Sequence, residues 1–326
     1  MQTRPLGNTG ERVSALGFGC MGLVGWYGER NDTEAAATLL AAIDGGVTHL
    51  DTAASYQIGE NEKFVGATLG SRRKEVFLAS KCGLAWRDGK LTIDNSPELI
   101  ASSCEESLKR LGTDHLDLFY LHRIDRKVPI EESVGALARL VKAGKIRHVG
   151  LSECSPETLR KAHAVQPIAA VQMEYSVWFR EPEASMLPTC RELGVSFVAY
   201  SPLGRGFLAG NFRNLADLPR DDARRNQPRF VDGNVEHNLA IADAVRELGQ
   251  RKGATPAQIA IAWVLAQGEQ ILPIPGTKRR ERQAENAASV NVKLSAAELQ
   301  ELTSKIEGLA VKGERYPPAM MGVLNG

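Results

Sequence analysis

The sequence predicts a closed (β/α)8 barrel, and three observations lead there. Short apolar, strand-like runs alternate with helical patterns on the order of a dozen residues, the order that accompanies parallel pairing. Eight such strand–helix units follow one another along the 326 residues, a number and length that suit a barrel. No break in composition separates them, so residues 1–326 read as one domain. A doubly wound open sheet is the structural competitor.

The elements follow in order. Two extended pieces around Gly7-Asn8-Thr9-Gly10 read as a β-hairpin plugging one end of the fold. A strand over 15–19 leads to a helix over 33–44, with Asp32 or Thr33 as N-cap. A strand over 48–51 leads to a helix over 60–69, and one over 76–81 to a helix over 97–111, begun by Ser96-Pro97 and stopped at Gly112. The strand over 116–122 precedes a helix over 133–143, stopped at Gly144. Strand 146–151 pairs with helix 156–163, and strand 169–174 with helix 184–193, stopped at Gly194. After strand 195–200 comes a polar excursion over 201–236, too long for a passive connection and so a candidate binding loop. Helices over 238–251 and 256–266, a strand over 271–274 and a helix over 279–288 complete the eighth unit. Ser295-x-x-Glu298 is a capping box that opens an extra C-terminal helix over 296–306. The tail from Gly308, with Pro317-Pro318, reads as a strapped-down loop or a partly disordered end.

Composition narrows the function classes. With 43% hydrophobic and 24% charged residues and a net charge of +1, nothing points to nucleic acid or a membrane surface as partner. Cys20, Cys82, Cys104, Cys154 and Cys190 are scattered with no CxxC pair, which argues for a reducing compartment and against a disulfide frame or a metal site. The first residues carry no apolar signal core and no run of 18 apolar residues occurs, so a cytoplasmic protein is expected. Gly17-x-Gly19-x-x-Gly22 matches the dinucleotide fingerprint in letters only. That motif needs its third glycine at a helix start, whereas an aromatic loop follows here.

Barrel active sites form at the C-terminal strand ends. Three consecutive strands end there in Asp51, Lys81 and His122, and Tyr56 lies five residues beyond Asp51. Each alone reads as an ordinary strand-end polar residue; their convergence points to proton chemistry. A phenol is a poor acid near neutral pH, but a neighbouring ammonium lowers its pKa and a carboxylate keeps that ammonium charged. Asp51–Lys81–Tyr56 thus makes a proton donor, with His122 able to hydrogen-bond a substrate oxygen. Such a donor suits carbonyl reduction, and since no side chain supplies a hydride, a nicotinamide cofactor is implied.

The stretches GFGCMG, HLDTAASY, LASKCG, DLFYLHR, GKIRHVGLSE, VQMEYS, YSPLGRGFLAG and IPGTKRRERQAEN together resemble the aldo-keto reductase superfamily, over essentially the full chain. The finer resemblance is to bacterial and plant reductases with GLSE after the fifth strand. The resemblance implies a barrel that binds NADPH without a Rossmann domain and reduces aldehydes and ketones, with a tetrad at Asp51, Tyr56, Lys81 and His122 and Tyr56 as general acid. It places the nicotinamide near Gly19, Cys20, Met21 and Asp51, with Ser152 and Gln172 on its carboxamide and Tyr200 stacked on its ring. Where relatives carry Ser-Asn, this chain has Ser152-Glu153, and Glu153 offers no amide donor. Ser201, Pro202, Leu203, Gly204, Arg205 and Gly206 match the pyrophosphate loop. Ile274 is a further cofactor position, and Gly276, Thr277, Lys278, Arg279, Arg282, Glu285 and Asn286 match the adenosine 2′-phosphate site, although the basic run alone reads better as a solvated helix face and only its place after the eighth strand reverses that. Trp26, Tyr27, Trp86, Trp178 and Phe179 lie in loops at the same mouth. With Tyr56 and His122 they either line a pocket for an apolar or aromatic carbonyl or merely cover the barrel end. Two rivals remain: an NADPH-binding redox-sensing or regulatory subunit of the same fold, and an aldolase forming a Schiff base on Lys81. The expected partner is a small-molecule carbonyl compound, and the chain is expected to act as a monomer or a homo-oligomer.

Overall fold

The computed structural model describes residues 1–87, 90–324 and 326. It opens with a hairpin, β1 (Thr3–Pro5) and β2 (Arg12–Ser14), then the two-residue β3 (Phe18–Gly19). The alternation continues as α1 (Asp32–Asp44), β4 (His49–Asp51), α2 (Glu60–Leu69) and β5 (Phe77–Cys82). A second hairpin, β6 (Leu84–Arg87) and β7 (Lys90–Ile93), precedes α3 (Pro97–Leu111). Then come β8 (Leu116–Leu121), α4 (Ile130–Lys142), β9 (Ile146–Ser152), α5 (Pro156–Val165), β10 (Ile168–Glu174), α6 (Met186–Leu193) and β11 (Ser196–Tyr200). The chain finishes with α7 (Asn234–Lys252), α8 (Pro256–Ala266), β12 (Ile271–Pro273), α9 (Arg280–Ala288), α10 (Ala296–Glu307) and the short α11 (Pro318–Met321).

Eight strands form one parallel sheet in the order β12-β11-β10-β9-β8-β5-β4-β3. Its edges are joined by hydrogen bonds from Gly17 N to Pro273 O (2.9 Å) and from Gly19 N to Pro275 O (3.2 Å), which curl the sheet into the expected (β/α)8 barrel. Glycine is required at this seam, because a Cβ on Gly276 would lie 2.5 Å from Gly19 O. Side chains alternate across the barrel wall. Leu78 and Phe119 pack outward under the helices, while Phe77, Ala79, Leu118, Tyr120, Ala170 and Val198 fill the interior. The same alternation carries Lys81, His122, Gln172 and Tyr200 to the inner side at the C-terminal ends. Leu6 and Val13 of the first hairpin join the interior cluster from the opposite end, where Arg4 donates to the carbonyls of Leu265, Gly268 and Ile271.

Several boundaries differ from the sequence expectation, for local reasons. Only Phe18–Gly19 of 15–19 pairs as a strand; Ala15 and Leu16 instead pack on Ile261 and Leu265. The first N-cap is Asn31, whose extended backbone lets its side chain accept from Glu34 N, rather than Asp32 or Thr33. Helix α4 starts earlier, directly after Pro129. Helix α6 starts later, after the short turn Glu181–Glu183. Helix α7 starts inside the predicted excursion, at Asn234 behind a left-handed Gly233. The hairpin β6–β7 was not foreseen. The tail is strapped down rather than disordered: Gly326 N donates to Glu153 O and Ser155 N to Gly326 O. Among the described residues no helix is long and apolar enough to cross a membrane.

Candidate active site

A cavity of about 870 Å³ opens at the C-terminal strand ends. At its floor the register of β4 and β5 pairs Asp51 with Ala79, and Lys81, two residues further along the same face, reaches Asp51 with Nζ to Oδ1 at 2.5 Å. Lys81 Nζ also donates to Thr52 O (2.8 Å) and lies 3.2 Å from the Tyr56 hydroxyl. Gln172 Nε2 donates to the other Asp51 oxygen at 2.7 Å, so both carboxylate oxygens are satisfied although Asp51 is buried. His122 packs edge-on against Tyr56, and its Nδ1 lies 3.1 Å from Ser55 Oγ. The structure therefore brings all four expected proton-handling residues together.

The electrostatics depart from expectation at one point. Burial pushes the Tyr56 phenol above its usual value, and Lys81 pulls it back without cancelling that rise. Lys81 itself is opposed by burial, yet Asp51 and Tyr56 hold its pKa above the ordinary lysine value. Burial, then Arg123 and Lys81, push His122 well below the usual imidazole value, so it is neutral at pH 7.

The other expected positions spread along the cavity. Gly19, Met21, Ser152, Gln172, Tyr200, Ser201, Pro202, Leu203, Arg205 and Gly206 line it. Ile274, Gly276, Thr277, Lys278, Arg279, Arg282, Glu285 and Asn286 form its far end. Cys20 and Gly204 are buried outside this lining, the Cys20 thiol facing Phe18 O. Lys278 reaches across the mouth, its ammonium on the carbonyls of Tyr27 (2.6 Å) and Glu29. Trp26 and Tyr27 line the cavity, and Trp26 is 41% exposed. Trp178 and Phe179 do not reach it: Trp178 stacks on Phe207 at 5.3 Å within the core, and both are buried. The side chain of Trp86 lies outside the described residues. Left-handed backbone at Trp26, Gln57, Ile58, Glu153, Ser201 and Arg205 concentrates around this mouth, the distribution expected where geometry serves a site.

Glu153, at φ +52°, turns away from the cavity. It receives Arg315 in a two-pronged pair (2.6 and 3.1 Å) and the Tyr200 hydroxyl (2.7 Å). Arg315 also donates to Glu174 at 3.1 Å, and Arg229 to Glu174 at 2.7 Å. Tyr316 then meets Tyr200, hydroxyl to hydroxyl, at 3.0 Å. Burial opposes ionisation of Glu174, but Arg229 and Arg315 outweigh it and hold the carboxyl below its usual value. Sequence reasoning missed Arg315, Tyr316, Glu174, Arg229 and Arg123. The available signal was Glu153 itself, an acid where relatives carry an amide, which must find a cation if buried.

A closed parallel barrel thus gathers a lysine, a carboxylate, a phenol and an imidazole at its C-terminal strand ends, a set able to hold and move a proton. The sequence profile of the Aldo/keto reductase family matches residues 15–307. An NADP(+) aldo-keto reductase of Schizosaccharomyces pombe is 44% identical over 323 residues, covering 97% of this chain and 94% of that one. The structure is similar to a glycerol dehydrogenase from Gluconobacter oxydans, with TM-score 0.86, 29% identity and coverage of 97% and 98% of the two chains. It is also similar to an aldo/keto reductase from Klebsiella pneumoniae solved with NADP and acetate, with TM-score 0.76, 27% identity and coverage of 97% and 99%. The chain belongs to the aldo/keto reductase family. Membership makes it an oxidoreductase of the aldehyde and ketone class.

Proposed function

We propose that the cavity reduces an aldehyde or ketone to its alcohol, with Tyr56 as the general acid. The observation that carries this reading is the chain of contacts Asp51–Lys81–Tyr56, at 2.5 and 3.2 Å. The phenol is raised in pKa by burial, so it carries its proton at neutral pH. Lys81 limits that rise, which keeps the phenol acidic enough to protonate an alkoxide as it forms. Asp51 holds the ammonium in place and neutralises it. The 3.1 Å contact of Ser55 Oγ with Nδ1 fixes the ring of neutral His122 and leaves Nε2 to orient the substrate oxygen toward Tyr56.

The residues present suit NADP(H). Ser152 and Gln172 supply a hydroxyl and an amide beside the proton-handling group, and the Tyr200 ring forms a wall next to them. Gly206, at φ +92°, lets the loop backbone approach a ligand closely. Lys278, Arg279 and Arg282 gather at the start of α9, where a helix N-terminus favours a phosphate. When bound, the cofactor supplies the hydride.

A panel of aldehydes and ketones, followed by loss of NADPH absorbance with NADH as control, tests the reading. Steady-state turnover of at least one simple carbonyl compound supports it. Binding of NADPH with no turnover would favour a regulatory subunit, and borohydride trapping of substrate on Lys81 would favour an aldolase.

A further inference from the structure

Arg123 follows His122 directly and lines the cavity beside Tyr56 and Ser152, yet it is only 5% exposed. A guanidinium has five N–H donors. Nη1 uses its hydrogens on His122 O (2.6 Å) and Ser152 Oγ (3.3 Å), and Nε has no partner. Among the described residues no carboxylate lies within ion-pair distance of it. The two other fully buried arginines differ: Arg315 has Glu153 and Glu174, and Arg229 has Glu174, whereas the half-buried Arg205 on the cavity wall donates to Arg315 O and likewise has no carboxylate among the described residues. The acids near Arg123 are already committed. Asp51 holds Lys81 and Gln172, and Glu153 holds Arg315 and Tyr200.

Burial opposes the charge of Arg123, and although nearby tyrosines and Glu153 attract it at longer range, a buried cation with no ion pair of its own gains from an anion that reaches it. The position of Arg123 says which anion. The basic groups Lys278, Arg279 and Arg282 follow β12, around α9, whereas Arg123 follows β8, four strands away across the eight-stranded barrel and next to His122. An anion that meets Arg123 therefore belongs to the molecule that faces Tyr56 and His122. A planar fork of N–H donors matches a carboxylate best.

Resting on the reading of Tyr56 as general acid, we propose that Arg123 binds the carboxylate of an oxo-acid substrate. The favoured substrate is then a carbonyl compound that also bears a carboxylate, rather than a purely apolar aldehyde. The aromatic side chains Trp26 and Tyr27 cover the part of the molecule that projects toward the mouth.

The test uses the purified full chain with NADPH and three oxo acids, in which carbonyl and carboxylate are adjacent or separated by two or four methylenes. Each acid is paired with its methyl ester. The wild-type protein is expected to favour at least one free acid over its ester in kcat/KM. Arg123→Gln should cut that acid-to-ester ratio about tenfold or more, the range for one charge-assisted hydrogen bond or two. Arg123→Lys should give an intermediate ratio, because it keeps the charge and loses the fork. Binding of benzoate to the NADPH complex, read by protein fluorescence, should weaken in Arg123→Gln, while NADPH affinity should change by less than about twofold. Esters turned over as well as acids by the wild type at every spacing would overturn the proposal and leave the reductase reading standing. Equal losses on acids and esters in Arg123→Gln, or a matching loss of NADPH affinity, would overturn it by moving Arg123 to the cofactor or the scaffold. A failure to turn over any carbonyl compound would contradict the reductase reading itself.

Discussion

Two buried charge clusters flank the cavity, and they are assembled in opposite ways. Asp51 and Lys81 are 30 residues apart and stand on the same face of neighbouring strands, whose register pairs Asp51 with Ala79, two residues before Lys81. Glu153 and Arg315 are 162 residues apart and meet only because the tail crosses the mouth. The first cluster is positioned by the sheet, and the second is itself what positions a segment. The first is therefore expected to fail by losing chemistry, and the second by losing stability and loop order.

Lys81→Met should break that contrast most severely. Turnover is expected to fall about 10³-fold, within the range for a disabled general acid. Lys81 holds the phenol down against burial, so its removal lets the phenol pKa rise further. The alkaline limb of the kcat profile should then move to higher pH as the plateau falls. A variant whose alkaline limb moved to lower pH would show that another group titrates there.

On the opposite side, Arg315→Met leaves buried Glu174 with Arg229 as its ion-pair partner and buried Glu153 with none among the described residues. Breaking such a network costs about 3–5 kcal/mol. Denaturant unfolding should show that loss, while turnover of the folded protein should fall only about tenfold, a small effect beside that of a lost general acid. An intact Arg315→Met protein with turnover as low as Lys81→Met would mean that both clusters do the same chemistry.

The cofactor end gives the next effect. Two charge-assisted bonds to a 2′-phosphate would favour NADPH over NADH by roughly 10²-fold or more. Lys278→Ala with Arg282→Ala should remove most of that preference by weakening NADPH alone. Because Lys278 also clasps the Tyr27–Glu29 loop, Arg282→Ala by itself is the cleaner comparison. Equilibrium titration with both cofactors decides it, and equal weakening of both would place the 2′-phosphate elsewhere. Asp51→Asn should give the smallest loss, below that of Lys81→Met in steady-state assays, since Thr52 O and the Tyr56 hydroxyl still meet the ammonium. The reverse ranking would make Asp51, rather than Lys81, the group that tunes the phenol.

The contrast also explains what could be read from the sequence. Strand periodicity is local, so the residues ending β4, β5 and β8 could be assigned to one face without knowing any contact. The phenol pKa could not: the ammonium beside Tyr56 was visible in sequence, but burial outweighs it and only the packed structure supplies that. Glu153 stood out as an acid where an amide was expected, yet its partner lies in a tail with no periodic pattern. Arg123 was written in DLFYLHR next to His122, but its lack of a carboxylate is a three-dimensional fact. Trp178 and Phe179 followed a strand end as Trp26 and Tyr27 do a loop, and composition alone does not separate a core aromatic from a pocket wall.

The division between proton chemistry and positioning is tested most directly by Tyr56→Phe, with turnover and NADPH affinity measured on the same protein. Removing one hydroxyl keeps the ring against His122. Turnover should fall at least about 10²-fold, the lower range for a lost general acid, with NADPH affinity nearly unchanged. Turnover near the wild-type rate, or a loss of NADPH affinity as large as the loss of turnover, would contradict the assignment of the proton to Tyr56.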